Sequence, residues 1–219
     1  MDKRFKTDDL YDKFAVTIKI RERLCGGMPK NPDMIHAWVK SRTGHDDEQT
    51  EQQTKEAIEA LIEAETEACW TGFPADERGL FIWCRQLKAM FKESASMLRV
   101  TVTKKGSKQI LQHGFEIKGA DGDDQRIRLG VSQPSGSEEG PIHVMTAQGP
   151  RTALKRFDYV QGVQIKFQVW VLKTAPQEKR HVGEKELIQM LTFAQENGLG
   201  ANRSQGYGKF DVVEFAKID

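Results

Sequence analysis

From Gln164 to Leu172 apolar and polar residues alternate, with Ile165, Phe167, Val169 and Val171 on one side. That is the period-two pattern of a strand with one buried face. Phe14-Ala15-Val16-Thr17-Ile18-Lys19-Ile20 alternates well enough for a first strand, ended by Cys25-Gly26-Gly27. The period changes between Glu184 and Asn197, where Leu187, Ile188, Leu191 and Ala194 mark one face of an amphipathic helix. Asn197-Gly198 is a natural stop for that helix. Gly79-Leu80-Phe81-Ile82 leads into a second helix, Gln86 to Leu98. Leu87, Met90, Phe91 and Leu98 are its core candidates, with Lys88 and Lys92 on another side. Phe210, Val212, Val213 and Phe215 lie in a run rich in β formers, which predicts a final strand.

The remaining segments are less regular. Arg99 to Lys104 alternates apolar and basic residues, and His113 to Lys118 is expected to pair with it across Lys105-Gly106. Pro32 opens a short helix, Asp33 to Ser41, in the first-turn position that suits proline. Asp46 to Ala68 is rich in Ala, Glu and Gln, with a narrow apolar stripe at Ala57, Leu61, Ala64 and Ala68, and reads as a helical insertion. Asp121 to Gly140 is polar, interrupted by Ile127, Leu129 and Val131, and is expected to form a mobile excursion or hairpin. Thr146 to Phe157 is basic and expected to be exposed.

Stripped of insertions, the order is β-α-β-β-α-β, the ferredoxin-like or RRM-like plan of an α+β domain. Such a domain puts two helices on one face of an antiparallel sheet. The sequence thus predicts one domain over residues 1–219. Into it are set a helical insertion at about 28–78 and a basic hairpin or loop insertion at about 119–160.

Between the last helix and the last strand, Gly198-Leu199-Gly200 and Gly206-Tyr207-Gly208 enclose five residues centred on Arg203, with Lys209 adjacent. Four glycines within eleven positions cost chain entropy on folding, so the fold needs them there. Glycine admits a positive φ and lets a second backbone or a phosphate come close. The order helix, loop, strand excludes the dinucleotide fingerprint and the P-loop, which run strand, loop, helix because the phosphate rests on a helix N-terminus. A turn that only joins helix to strand is the plain alternative.

The chain has 219 residues and a formal net charge of +1. That near-neutral sum conceals segregation: Asp46 to Glu67 holds nine acids and one lysine, whereas Gly149 to Lys209 holds ten Lys/Arg and five acids. A basic C-terminal half fits a nucleic-acid face, or merely solvated faces of opposite sign. Cys25, Cys69 and Cys84 are odd in number and widely spaced. This argues against a disulfide framework or zinc ribbon and suits a reducing, cytoplasmic compartment. No apolar run reaches about 18 residues, and none follows the polar start, so neither a membrane span nor a secretory signal is expected.

The glycine loop with its central arginine resembles the C-terminal glycine-rich loop of the RAMP superfamily of CRISPR-associated proteins. Gly79-Leu80-Phe81-Ile82 followed by Gln86-Leu87-Lys88-Ala89-Met90-Phe91 is similar to the segment of effector-complex backbone subunits where a short apolar run enters a helix bearing a basic residue. Trp83-Cys84-Arg85 stands where that family has Pro-Gly-Ser-Ser. The resemblance implies an RNA-binding, ferredoxin-like subunit that assembles along a guide-like or single-stranded RNA with copies of itself and other complex subunits. It also implies a thumb-like hairpin, for which the segment with Arg151, Lys155 and Arg156 is the candidate, and a role in antiviral defence. Candidate RNA contacts are Gly198, Gly200, Arg203, Gly206, Tyr207, Gly208 and Lys209 in the loop, Arg85 and Lys88 on the helix, and Arg151, Lys155 and Arg156. Glycine amides and cations would hold phosphates, and Tyr207 or Phe157 would stack on bases.

No catalytic residue, metal site or cofactor is expected. His36, His45, His113, His143 and His181 are the candidates for general acid/base chemistry. But His36 reads as packed beside Trp38, His45 borders the acidic helix, and His181, which has the best electrostatics after Lys179-Arg180, has no identifiable partner base. Asp33 fits the acidic first turn of a helix better than a nuclease site. Asp121, Asp123 and Asp124 lack the spacing of a calcium loop. The alternatives carried are a metal-independent RNA-processing endonuclease of the same superfamily, and a phage or mobile-element structural protein that kept the fold.

Overall fold

A computed structural model describes residues 10–30, 70–98, 114–146, 149–173 and 182–218, with backbone alone at 142–146 and 150–153. The expected helices at Asp33–Ser41 and Asp46–Ala68, the strand Arg99–Lys104, and residues Asp33, His36, His45, His113 and His181 lie outside the described residues. In chain order the first strands are β1 (Tyr11–Ile20), β2 (Arg23–Cys25), β3 (Met28–Pro29), β4 (Thr71–Gly72), β5 (Ala75–Asp76) and β6 (Gly79–Trp83). Helix α1 (Cys84–Met97) precedes β7 (Phe115–Gly119), β8 (Arg126–Arg128), β9 (Gly136–Thr146), β10 (Gly149–Gln161) and β11 (Gln164–Leu172). Helix α2 (Glu184–Asn197) and β12 (Phe210–Ile218) complete the order. The content is α+β. Two compact units emerge, one drawn from Met1–Leu24, Ala75–Gln133 and Gln161–Asp219, the other from Cys25–Pro74 and Pro134–Val160.

The first unit is organised by a 4-stranded sheet in the order β12-β1-β11-β7. Every pairing in it is antiparallel. Alternation decides which face is buried. Phe14, Val16, Ile18 and Ile20 of β1, Ile165, Phe167, Val169 and Val171 of β11, and Phe115 and Ile117 of β7 are all buried. Helices α1 and α2 cover that face with Leu87, Met90 and Phe91, and with Leu187, Met190, Leu191 and Ala194. The Phe91 and Phe115 rings meet at 5.1 Å. A fully buried side chain of this size stabilises the fold by about 1.5–3 kcal/mol relative to exposure.

Local chemistry sets the helix ends. Gln86 Oε1 accepts the Trp83 N–H at 2.9 Å before α1, and Glu186 Oε2 accepts the Gly183 N–H at 2.9 Å before α2. Each satisfies a donor the helix cannot. Gly198 stops α2 with φ 80° while its N–H bonds Ala194 O at 2.8 Å.

The patterns are largely realised, with instructive differences. Ile188 is 46% exposed, and Met190 takes the core position instead, because the buried stripe runs Leu187, Met190, Leu191, Ala194 at helical spacing. Val213 is also exposed: the β1–β12 register passes from Ile18↔Val212 to Thr17↔Glu214, so Val213 is the extra residue of a bulge. The stretch from Asp121 is no simple excursion. It contains β8, which pairs antiparallel with β6, and it buries Ile127 and Leu129. Asp123 Oδ1 closes the preceding turn by accepting the N–H groups of Gln125 at 2.8 Å and Arg126 at 3.0 Å. Two apolar residues at i, i+2 outweighed the polar composition around them.

In the second unit β9 and β10 form a long antiparallel hairpin from Gly149↔Thr146 to Tyr159↔Gly136. Strand β4 runs parallel to β10 at Phe157↔Thr71 and antiparallel to β3. The expected exposed segment Thr146–Phe157 is thus mostly a hairpin strand. Its anchor is Asp158, 1% exposed. The carboxylate pairs with Lys30 Nζ at 2.5 Å and accepts hydrogen bonds from Trp70 Nε1 at 2.8 Å and Ser137 Oγ at 2.7 Å. The Lys30 ammonium and the Arg156 guanidinium each lie 4.2 Å from the Trp70 ring centroid. Burial pushes the Asp158 carboxyl up, but the bonds from Lys30, Ser137 and Trp70 outweigh it and hold it below the usual range.

Asp158→Ala is expected to cost about 3–5 kcal/mol, because it strands a cation and an indole N–H. A group depressed on folding stabilises above its unfolded value and loses that contribution as pH falls through the folded value. Urea unfolding against pH should therefore show an acid-dependent loss of stability below about pH 4 that shrinks in Asp158→Ala. An unchanged acid limb would show that this carboxylate contributes nothing.

Candidate nucleic-acid interface

The glycine loop is built by close approach of its own two ends. Leu199 N–H donates to Gly208 O at 2.9 Å, so the second Gly-x-Gly folds back on the first. Gly198, Gly200, Gly206 and Gly208 all have φ between 80° and 89°. Packing demands glycine at two of them. A Cβ on Gly208 would collide with Leu199 O, and one on Gly198 would lie 2.7 Å from Tyr207 O. At Gly206 nothing lies within 4 Å, so there only the dihedral is at stake.

The loop is also tied to the turn after β1 and to the first residue of β2. Gly208 N–H donates to Arg23 O at 2.8 Å, and Arg21 N–H donates to Lys209 O at 3.0 Å. Arg203 opens a 3-10 turn, Arg203–Gln205, preceded by Asn202 in the left-handed region at φ 57°. That conformation is tolerated best by Asn, Asp and Gly.

The loop's cations already have carboxylate partners. Arg203 Nη1 bonds Glu93 Oε2 at 2.6 Å, tying the loop to α1 across 110 residues of sequence. Lys209 Nζ lies 3.1 Å from Glu196, whose other oxygen pairs with Arg21 at 2.5 Å. Arg21 also bonds Asp211 at 2.8 Å. Burial works to raise the Glu93 carboxyl, yet the hydrogen bond and charge of Arg203 leave it below the usual carboxylate range. Glu196 is lowered chiefly by its hydrogen bonds from Arg21 and Lys209. These pairs are solvent-accessible and weak, so an arriving phosphate could share or take the cation. Tyr207 is half-buried beside them.

The two sequence-predicted segments therefore meet. A cleft of about 160 Å³ is lined by Gln86, Met90 and Glu93 of α1 and by Gly198, Gly200 and Arg203 of the loop. A wider cleft of about 380 Å³ opens at the start of α1, against Arg85, Lys88, Lys118, Glu116 and Asp124. Arg85 is exposed, with its guanidinium 4.9 Å from the Trp83 ring centroid. Lys88 is half-buried, and its ammonium is pushed below the usual lysine range by burial and then by Lys92. Burial, reinforced by Asp123 and Asp124, pushes the Cys84 thiol up to about 11 and disfavours its thiolate.

Arg151, Lys155 and Arg156 lie on β10 in the second unit. Arg156 is exposed and Lys155 half-buried, with Arg156 stacked on Trp70. Sequence reasoning missed Glu93 and Glu196 as partners, and Lys118 and Trp83 as neighbours. Only Trp83 carried a local signal, as the aromatic two residues before Arg85. Among the described residues, no group of three or more His, Cys, Asp or Glu side chains could hold a metal ion. No helix among them is long and apolar enough to cross a membrane.

No family model matches the chain, and no curated protein sequence is similar to it. Among solved structures, the chain is similar to one from the cryo-EM structure of the Type III-B Cmr-beta bound to cognate target RNA. The TM-score is 0.53 at 13% identity, over 97% of this chain and 62% of that one. At that identity the likeness is one of fold. The class defined is an α+β chain with a Cmr-like fold.

Gly208→Ala is expected to destabilise the protein by about 2–3 kcal/mol, through a backbone collision added to an unfavourable φ. Gly206→Ala should cost only about 1 kcal/mol, from the dihedral alone. Urea midpoints measure both; equal costs would mean the close approach at Gly208 is not a constraint.

Proposed function

We propose that this protein is a non-catalytic RNA-binding subunit of a CRISPR-like ribonucleoprotein, built on a ferredoxin-like βαββαβ core. The sheet order β12-β1-β11-β7, with one helix after β1 and one after β11, supports that core. The observation that carries the reading is the meeting of α1 with the glycine loop around Arg203. Phosphates of a single-stranded, guide-like RNA are held by loop amides, Arg203, Lys209, Arg85 and Lys88. The β9–β10 hairpin, bearing Arg151, Lys155 and Arg156, is the thumb-like element. The similar Cmr-beta structure contains target RNA, which supports RNA and further subunits as partners. Copies of this chain would assemble along the RNA, in the cytoplasm.

In this arrangement Glu93 competes with RNA for Arg203. Nucleic acid should copurify, visible as a raised ratio of absorbance at 260 to 280 nm. Affinity for a labelled single-stranded RNA should fall linearly on a log–log salt plot, with about 0.7 of slope lost for each phosphate contact removed by Lys88→Gln or Arg203→Gln. Glu93→Gln should raise affinity by about 2–5-fold, the range of an exposed pair. A salt-independent affinity, or one indifferent to Arg203 and Glu93, would reject the site. Cleavage of hairpin RNA without metal would reject the non-catalytic assignment.

A further inference from the structure

The sheet of the first unit has a second face, turned away from α1 and α2, and its residues are not those of a solvated surface chosen for charge alone. On β11 this face carries Gln164, Lys166, Gln168 and Trp170. The register places Lys13 opposite Trp170, Ala15 opposite Gln168, Thr17 opposite Lys166 and Lys19 opposite Gln164. From β7, Glu116 faces Trp170 and Lys118 faces Gln168. Trp170 is half-buried, and Lys19, Gln164 and Lys166 are exposed.

Trp170 is held in place from several sides. The Lys118 ammonium lies 3.9 Å and the Lys13 ammonium 4.5 Å from its ring centroid. Its Nε1 donates to Gln168 Oε1 at 3.0 Å, and the Tyr11 ring lies 6.0 Å away at 50°. The two ammoniums rest over the π face of the indole. The acids of this face are Glu116, Asp211, bonded to Arg21, and Glu214, bonded to the Thr17 hydroxyl. Asp124 pairs with Lys118 Nζ at 3.0 Å from beside the face. The two ammoniums over Trp170 are thus balanced by Glu116 and Asp124, and the further positive charge is that of Lys166 and Lys19.

We propose that this face is a second nucleic-acid site, on which a single-stranded RNA stacks a base on Trp170. The base takes the place of a lysine over the ring, and the displaced ammonium meets the adjoining phosphate. Both the stacking surface and the charge are thus used twice, once to keep the free protein ordered and once to bind. Lys166 and Lys19 extend the phosphate path along β11 and β1, and Gln164 and Gln168 offer donors and acceptors to base edges. An aromatic set in lysines and amides fits nucleotides; a protein-docking face would carry a contiguous apolar patch. Lys118 and Glu116 also line the wider cleft at the start of α1, whereas Trp170, Lys166 and Lys19 stand apart from the glycine loop.

The test uses the full-length protein, a labelled oligouridylate, and an abasic ribose-phosphate chain of equal length. Trp170→Leu should weaken oligouridylate binding about tenfold while leaving the abasic chain unaffected. Lys166→Glu should weaken both. Trp170→Phe, which keeps a stacking ring, should restore most of the affinity, and it carries the test should the leucine variant fail to fold. Photocrosslinking with 4-thiouridine should map to the peptide containing Trp170. If Trp170→Leu and Lys166→Glu bind as wild type while Arg203→Gln binds more weakly, this proposal falls and the loop site stands. The reverse pattern overturns the loop site alone. Unchanged RNA affinity with loss of a multimer in sedimentation would make the face a protein contact and overturn the proposal, and no binding to either chain overturns both sites.

Discussion

The backbone of Leu199 lies against Gly208 at a distance that no side chain allows, and the first unit closes through that contact. It brings the end of α2 next to the start of β12. Through the bond from Gly208 N–H to Arg23 O it also fixes both against the start of β2, just after β1. Strand β1 is in turn the centre of the sheet, paired along its length with β11 on one side and β12 on the other. A substitution at Gly208 therefore acts on the helix stop, the start of the last strand and the segment that follows the central strand together. The glycines serve the fold first. Any ligand role is laid over that architecture, since a backbone held open at positive φ is also one that an anion can approach.

Ion pairing gives the candidate site its character. Arg203 and Lys209 were legible as cations within and beside a glycine-rich loop, and their charge needs no structure to be read. Their partners Glu93 and Glu196 were not legible, because each lies on a helix whose neighbours the sequence does not state. The consequence is chemical. Paired, half-exposed cations are held in place, and separating such surface pairs costs little. The pairing also joins α1 to the loop, so the two segments that carry the family resemblance are physically one site.

The polar segment after β7 shows a different limit. Composition pointed to an excursion, but Ile127 and Leu129 are buried and β8 pairs with β6. Asp76 then gathers Arg126 at 2.8 Å and Arg128 at 2.6 Å, and both guanidiniums lie over Phe81. A three-residue strand is too short for periodicity to announce it. Its pairing with β6, more than forty positions earlier in the chain, creates the burial that justifies it.

Strands β1, β11 and β12 and the two helices, the buried faces of β1, β11 and α1, the stop of α2 at Gly198 and the glycine spacing were determined by the sequence itself. Each rests on local chemistry: alternation, helical period, or a dihedral that only glycine adopts cheaply. Tertiary structure alone decided the sheet order, the bulge at Val213, the turning out of Ile188, the pairing of Arg203 with Glu93, and the cover of Trp170 by lysines from two neighbouring strands. These depend on which distant segments become neighbours. Local pattern specifies a face; only the assembled chain specifies what that face meets.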